Sequence, residues 1–308
     1  MFRLAAVRLL TSLVVVFGSL VLVFVVVYLL PGDPVSAVVD VSAVSPEVLA
    51  SLRAEMGVDQ PFHIQFFSYV GGVVQGDFGQ SLLNDEPVLP KILQHFPATL
   101  TLTLASALIA ASVGIWFGVL SAIHRNGWID IAARIIGLFG ISMPTFWSGI
   151  LLILIFSVSL GWFPAMGSGS LRTLVLPAFA LGIVGAGFIV RLVRNNMLEV
   201  INEPFILTLR AKGISERLVM YRHALRSALI PALTMIGVLS GELMAGTVVI
   251  ETVFARQGIG RVITDALMSK DLPVVQGVVF FSAVIYVLIN LLVDLSYRFI
   301  DPRVRRAQ

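Results

Sequence analysis

The side chains able to do chemistry are few and scattered. There is no cysteine, which excludes disulfides, iron–sulfur ligation, thiol catalysis and cysteine-held zinc. The four histidines, His63, His95, His124 and His223, include no pair at the short helical spacing of a zinc site, so no metal is expected. No Gly-x-x-x-x-Gly-Lys-Ser/Thr loop occurs, so the chain lacks the usual cradle for nucleotide phosphates. No paired acids or Ser/His set share one depth, which leaves no catalytic constellation and argues against an enzyme. Two acids stand in or beside apolar runs, Glu242 near the middle of one and Asp294 at the end of another. A charge in hydrocarbon must face protein or water, so Glu242 is a candidate for a substrate pathway or for a helix–helix hydrogen bond. Asp294, close to Tyr297 and Arg298, reads as a structural partner near an interface.

The elements that position these residues follow from composition. The 308 residues are 57% hydrophobic and 13% charged, with a mean hydropathy of +0.96. A soluble domain is about a quarter charged, so too few polar side chains remain to coat a water-facing globule. The chain therefore reads as an all-α, polytopic membrane protein, not a cytosolic enzyme or a disordered chain. A spanning helix needs about 20 apolar residues, and six runs qualify: Leu9–Leu30, Ala98–Ile123, Ile135–Leu160, Thr173–Val193, Ser227–Ile250 and Leu272–Val293. The first is longer than the apolar part of a signal peptide and reads as an uncleaved anchor, although Val35-Ser36-Ala37 loosely resembles a processing site. With the N-terminus inside, fifteen of the 21 lysines and arginines fall in inside segments, which predicts both termini cytoplasmic. The same bias accounts for the net charge of +3 without nucleic acid.

Two loops are too long to be simple connectors. Residues 31–97, placed outside, carry eight acids against Arg53 and Lys91. Pro31-Gly32-Asp33-Pro34 ends the first helix; Val48, Leu49, Leu52 and Met56 then follow the start signal Ser45-Pro46-Glu47 at helical spacing. This predicts a partly helical external subdomain, a docking platform or gate for a binding protein or else a solvated lid. Residues 194–226, placed inside, are basic. Asn202-Glu203-Pro204 reads as a helix start and Ala211-Lys212-Gly213 as its stop. Ser215 then caps a second helix with Glu216 in its first turn. Leu207, Ala211, Ile214, Leu218, Tyr221 and Leu225 recur every three or four residues, a stripe that needs a partner protein or an anionic lipid surface to bury it. Within the third run, Ser142-Met143-Pro144-Thr145-Phe146-Trp147 predicts a proline bend. Met143 and Phe146 there are packing residues or, with Glu242, pathway-lining candidates. Gly182, Gly185 and Gly187 predict close helix contact, and Arg191 and Arg194 interfacial snorkelling. The predicted organisation is a tail and first transmembrane helix at 1–30, the external subdomain at 31–97, a five-helix core at 98–299 holding the cytoplasmic loop 194–226, and a basic cytoplasmic tail at 300–308.

The run from Leu209-Arg210-Ala211-Lys212-Gly213-Ile214-Ser215-Glu216-Arg217 to Ala228-Leu229-Ile230-Pro231 resembles the coupling-loop signature of ABC-importer permeases, in the version found in dipeptide, oligopeptide and nickel permeases. Gly213 and Leu225 match the general signature, while Leu207, Thr208, Leu209, His223 and Arg226 depart from it. Gly57-Val58-Asp59-Gln60-Pro61, Gly76-Asp77-Phe78-Gly79-Gln80-Ser81, Glu251-Thr252-Val253-Phe254, Pro273-Val274-Val275-Gln276-Gly277 and Asp301-Pro302-Arg303 resemble the same subfamily, in the same order along nearly the whole chain.

The resemblance implies a type I ABC importer permease fold with six transmembrane helices in a bacterial cytoplasmic membrane. It implies a second homologous permease, two ATP-binding subunits or a fused ATPase, and an external substrate-binding protein. Coupling to the ATPase is expected through Ala211, Lys212, Gly213, Ile214, Ser215, Glu216, Leu218 and Leu225. No cofactor is expected in this chain, with ATP and magnesium on the ATPase. Short peptides are the implied cargo, with nickel or another small solute as the alternative. A secondary transporter would need inverted repeats and buried ion ligands, and neither is clear.

Overall fold

A computed structural model of the chain describes residues 2–29, 45–55, 57 and 59–300, with the side chains of 2–6, 55 and 294–300 left aside. Among the described residues the chain is helical, with one isolated bridge between Gln80 and Pro87. The helices are α1 (Phe2–Leu29), α2 (Pro46–Glu55), α3 (Phe62–Val74), α4 (Val88–Ile123), α5 (Trp128–Ser142) and α6 (Thr145–Leu152). They continue with α7 (Leu171–Ile201), α8 (Pro204–Ala211), α9 (Glu216–Leu218), α10 (Leu225–Val253), α11 (Ile259–Met268) and α12 (Leu272–Ile300). π-Helical turns extend α6 over Ile153–Ser159 and join α9 to α10 over Val219–Ala224. Pro31-Gly32-Asp33-Pro34, Val35-Ser36-Ala37, Met56, the Asp301-Pro302-Arg303 motif and the side chain of Asp294 lie outside the described residues.

Among the described residues five helices are long and apolar enough to cross a membrane. The third expected span is not one helix. It is Trp128–Ser142 and Thr145–Ser159, bent by 110° at the break. Proline forces the residue before it out of the helical region, and Met143 is extended at φ −86°, ψ 132°. Pro144 therefore starts a new helix at Thr145 instead of kinking the old one. A turn follows this span, with Gly161 at φ +64° and Trp162 exposed. Other spans outrun their apolar cores. α4 begins ten residues before Ala98, and at 1.5 Å per residue its 36 residues make about 54 Å, well beyond the hydrocarbon thickness.

The chain forms two compact units. One lies within Met1–Ala98 and Gln257–Leu288. Its α1 and α3 meet through an aromatic cluster in which Phe24 packs on Phe62, Phe66 and Tyr69 at ring separations of 5.3–5.6 Å. The Gly76–Ser81 motif is a loop in which Gly79 N–H donates to Asp77 Oδ1 (2.9 Å). Asp271 accepts from the Ser81 hydroxyl and, at 3.1 Å, from the Leu82 amide, which fastens this loop to the start of α12. Gly277 lets α12 press onto α4, since a Cβ there would meet Val88 Cγ1 at 2.5 Å.

The other unit lies within Thr99–Arg256 and Ile289–Gln308. Here α7 is the central element, its N-terminus closed by a Ser170/Thr173 capping box. The expected close contacts occur. A Cβ on Gly187 would fall 2.4 Å from the Gly137 carbonyl oxygen of α5, and Cβ atoms on Gly182 and Gly185 would fall 2.9 Å from Ile109 and Ala110 of α4. One apolar core gathers around Leu181, Leu243, Ile250 and Phe254. Another gathers around Ile189, Val193 and Met197 and extends to Ile206, Val219 and Ala224. That second core ties the α8–α9 segment to α7 and α10.

Candidate functional site

The α8–α9 segment has the predicted helix–turn–helix form. Pro204 occupies the first turn of α8, where its missing N–H costs no bond. The helix ends at Gly213, whose φ of +75° places it in the left-handed region. Gly213 N–H then donates to the Arg210 carbonyl (2.9 Å) and Ile214 N–H to the Leu209 carbonyl (3.3 Å). Those two bonds make a Schellman closure that satisfies the last carbonyls of α8. Lys212 is the C-cap and Ala211 the last helical residue, both exposed.

Across the turn, Arg210 clamps Glu216. Arg210 Nε donates to Oε2 at 3.0 Å and Nη2 to Oε1 at 2.6 Å, a fork geometry that fixes orientation as well as distance. The carboxylate holds the Arg210 guanidinium above its ordinary pKa. Ser215 stands at the N-cap of α9, but its hydroxyl makes no capping bond. Its carbonyl accepts from Leu218 N–H (2.9 Å) and Val219 N–H (3.0 Å), so the backbone closes the turn that the side chain was expected to cap.

The apolar stripe does not form one face. Ile206, Val219 and Ala224 are fully buried, and Leu209, Ile214 and Leu225 pack on the same core. Leu207 (69% exposed), Leu218 (41%) and Tyr221 (48%) stay on the outside. The segment is thus fused to its own chain by one face and offers apolar side chains on the other.

The three pathway candidates are not brought together. Met143 is half-buried at the break before α6 and Phe146 is exposed on α6. Glu242 lies in α10 between buried Gly241 and Leu243, with its own side chain exposed. Among the described residues Glu242 has no hydrogen-bond partner, so the intrachain helix–helix bond is not made.

Buried polar groups that the sequence reading missed brace the frame instead. Asp130 is fully buried at the start of α5. Its Oδ1 accepts from Ser121 Oγ (2.6 Å) and Arg194 Nε (2.7 Å), and its Oδ2 from Arg194 Nη2 (2.9 Å) and Asn126 N–H (3.0 Å). Arg194 is therefore an internal cross-link and not a snorkelling anchor. Glu251 is equally buried near the end of α10 and accepts from Thr99 Oγ1 at 2.6 Å. Arg256, just beyond α10, is pushed below its usual pKa by burial, with Glu251 opposing the shift. Among the described residues no three His, Asp or Glu side chains gather closely enough to hold a metal ion.

Comparison with known proteins matches this architecture. Residues 114–306 match the family model described as binding-protein-dependent transport system inner membrane component, and residues 1–103 match that of its N-terminal region. A Brucella abortus protein named for a peptide transport system permease is 41% identical over 293 residues, covering 92% of this chain and 93% of its own length. The glutathione transport system permease protein GsiC of Salmonella typhimurium is 41% identical over 285 residues, with the same coverage. Among solved structures, the MetNI methionine ABC transporter in an inward-facing form superposes with a TM-score of 0.60 at 21% identity. The match covers 70% of this chain and 99% of that one. An amino acid ABC transporter superposes at 0.53, with 15% identity over 68% of this chain and 94% of its own.

Proposed function

The chain belongs to the family of inner membrane components of binding-protein-dependent transport systems, and from that premise we propose that it is the permease subunit of an ATP-driven importer of short peptides, worked through the α8–α9 segment. The names of the relatives support the peptide cargo. The basic bias of the loop and termini supports a cytoplasmic position for this segment and for both chain ends. A second permease, a pair of ATP-binding domains and an external binding protein complete the assembly, with ATP and magnesium on the ATPase.

The observation that carries the reading is the two-faced construction of the segment. Leu207, Leu218 and Tyr221 fill a cleft of the ATPase, and each side chain contributes ~1.5–3 kcal/mol if fully covered. Ile206, Val219 and Ala224 pass the displacement to α7 and α10 through a core with no slack. Closing and opening of the ATPase pair then biases a two-state arrangement of the membrane helices. Lys212 and the neighbouring basic residues orient the docking more than they strengthen it.

Leu207→Asp and Leu218→Asp test this. Both remove the outer face without touching the inner one. Retention of the ATPase in a pull-down should fall at least about tenfold, and ATP-dependent peptide uptake in proteoliposomes should be lost. Wild-type retention and uptake in both variants, or uphill transport by the purified chain alone, overturns the assignment.

A further inference from the structure

A cavity of about 250 Å³ opens where α5 begins and α7 ends. Arg134, Arg191 and Arg194 line it, with Gly137, Leu138 and Val190 further along the same two helices toward the middle of the spans. Cationic groups therefore stand at the outer end of the cavity and an apolar groove continues inward.

The charges at this place do not cancel. Among the described residues Asp130 is the only acid that pairs with the cluster, and its four accepting positions are taken by Arg194, Ser121 and the Asn126 amide. Arg134 reaches it only at 3.5 Å, with a side chain 53% exposed. Arg191 is exposed and has no ion-pair partner among the described residues. One carboxylate among three guanidiniums leaves an excess of two positive charges at the mouth of the groove.

The depth fits a lipid interface. Trp128, 78% exposed, opens α5 as interfacial tryptophans do. Arg134 follows six residues later, about 9 Å further along the axis, within reach of the headgroup layer for a long side chain. Ile131, Ile135 and Leu138 are exposed on the same stripe of α5 as Arg134, which gives an acyl chain a continuous apolar track beside the charged group. Basic pockets between transmembrane helices bind phosphate-bearing headgroups through this combination.

We propose that this cavity seats one anionic phospholipid, its phosphodiester held by Arg134 and Arg191 and one acyl chain lying along Leu138. Arg194 stays with Asp130 and sets the position of the other two. The seat depends on the membrane setting of α5 and α7 alone, so failure of the transport assignment leaves it standing, and the reverse.

Native mass spectrometry of the full chain, purified with the subunits that accompany it and titrated with phosphatidylglycerol or phosphatidylcholine, tests the proposal. The wild type should retain one phosphatidylglycerol in preference to phosphatidylcholine. Arg134→Ala with Arg191→Ala should weaken phosphatidylglycerol about 30-fold, roughly fivefold for each arginine, and leave phosphatidylcholine unchanged. Arg134→Lys with Arg191→Lys should keep most of the preference. The milder Arg191→Gln, which spares both Asp130 contacts, should weaken it about fivefold if the double alanine variant does not fold. No preference in the wild type, or wild-type retention in the alanine variant or, should that variant not fold, in Arg191→Gln, overturns the proposal. Loss of a co-purifying permease with lipid retention intact assigns the surface to that subunit and overturns it as well.

Discussion

Substituting Gly213 by alanine isolates the turn on which the α8–α9 segment depends. At φ +75° a side chain on an L-residue costs ~1–2 kcal/mol from crowding of Cβ against its own backbone. Nothing lies within 4 Å of the position a Cβ would take, so the backbone is the entire cost and no packing clash confuses the result. The Arg210–Glu216 clamp cannot offset it. Its side chains are 37% and 54% exposed, and such pairs contribute about 1 kcal/mol at most. Gly213→Ala should therefore raise the population of the opened turn about five- to thirtyfold, since 1.4 kcal/mol is a factor of ten. Hydrogen exchange reads this directly, because the amides of residues 213 and 214 are held by the Arg210 and Leu209 carbonyls. Both should exchange faster by that factor, and uptake should fall while the membrane helices keep their protection. Gly213→Asn should cost less, since asparagine visits the left-handed region more readily. Wild-type exchange in Gly213→Ala, or a larger effect from Gly213→Asn, refutes the reasoning.

Asp130→Asn should destabilise the chain by about 3–5 kcal/mol, because it leaves the guanidinium of Arg194 buried without its carboxylate. Combining it with Arg194→Gln should recover a large part of the loss in a thermal-unfolding double-mutant cycle. Tyr69→Phe should leave stability unchanged or raise it by up to about 1 kcal/mol, since the Tyr69 hydroxyl is buried with no partner among the described residues. Burial pushes the Tyr69 phenol up to about 12 from 10.0. Its contribution to stability is full below pH 10 and is lost as the pH rises through about 12, a step that alkaline difference spectra should show in the wild type and not in Tyr69→Phe.

Hydrophobic run length places the long helices, because hydrocarbon punishes any other arrangement of twenty apolar residues. Gly213 is legible for the same kind of reason: one residue type carries the conformation. The broken third span was only half legible. Pro144 announces a bend, but an angle of 110° comes from the extended Met143 and from α6 packing Gly149 onto Phe254, a contact more than a hundred residues away. The stripe from Leu207 to Leu225 misled because its period is right and its continuity is not. The left-handed turn at Gly213 and the π-helical turn at Val219–Ala224 both shift the phase, so Val219 turns inward where Leu218 was expected. The pairing of the buried acids gave no signal, although Glu251 falls in one of the resembling motifs. Asp130, Glu251 and Asp271 look like ordinary charges at the ends of apolar runs, and their partners stand 64, 152 and 190 residues away in sequence.

The two joints of the α8–α9 segment differ, and the difference sets what a push on it can do. On the α8 side, α7 ends at Ile201 and the chain turns through Asn202 and Glu203 before Pro204, so α8 can change angle against α7 by rotation at these two residues. On the other side no turn intervenes. Glu216 to Val253 runs as one continuous helical stretch of 38 residues, with its hydrogen-bond ladder irregular at the π-helical turn and interrupted at Pro231. A π-helical turn strains the hydrogen-bond ladder without breaking it, so a force applied at Leu218 reaches α10 along its own backbone. It reaches α7 through side-chain packing, in the core that Ile206, Val219 and Ala224 share with Val193 and Met197. The same helix carries Glu242, which is exposed and has no partner among the described residues, so under the proposed coupling a candidate pathway residue lies on the helix continuous with the segment.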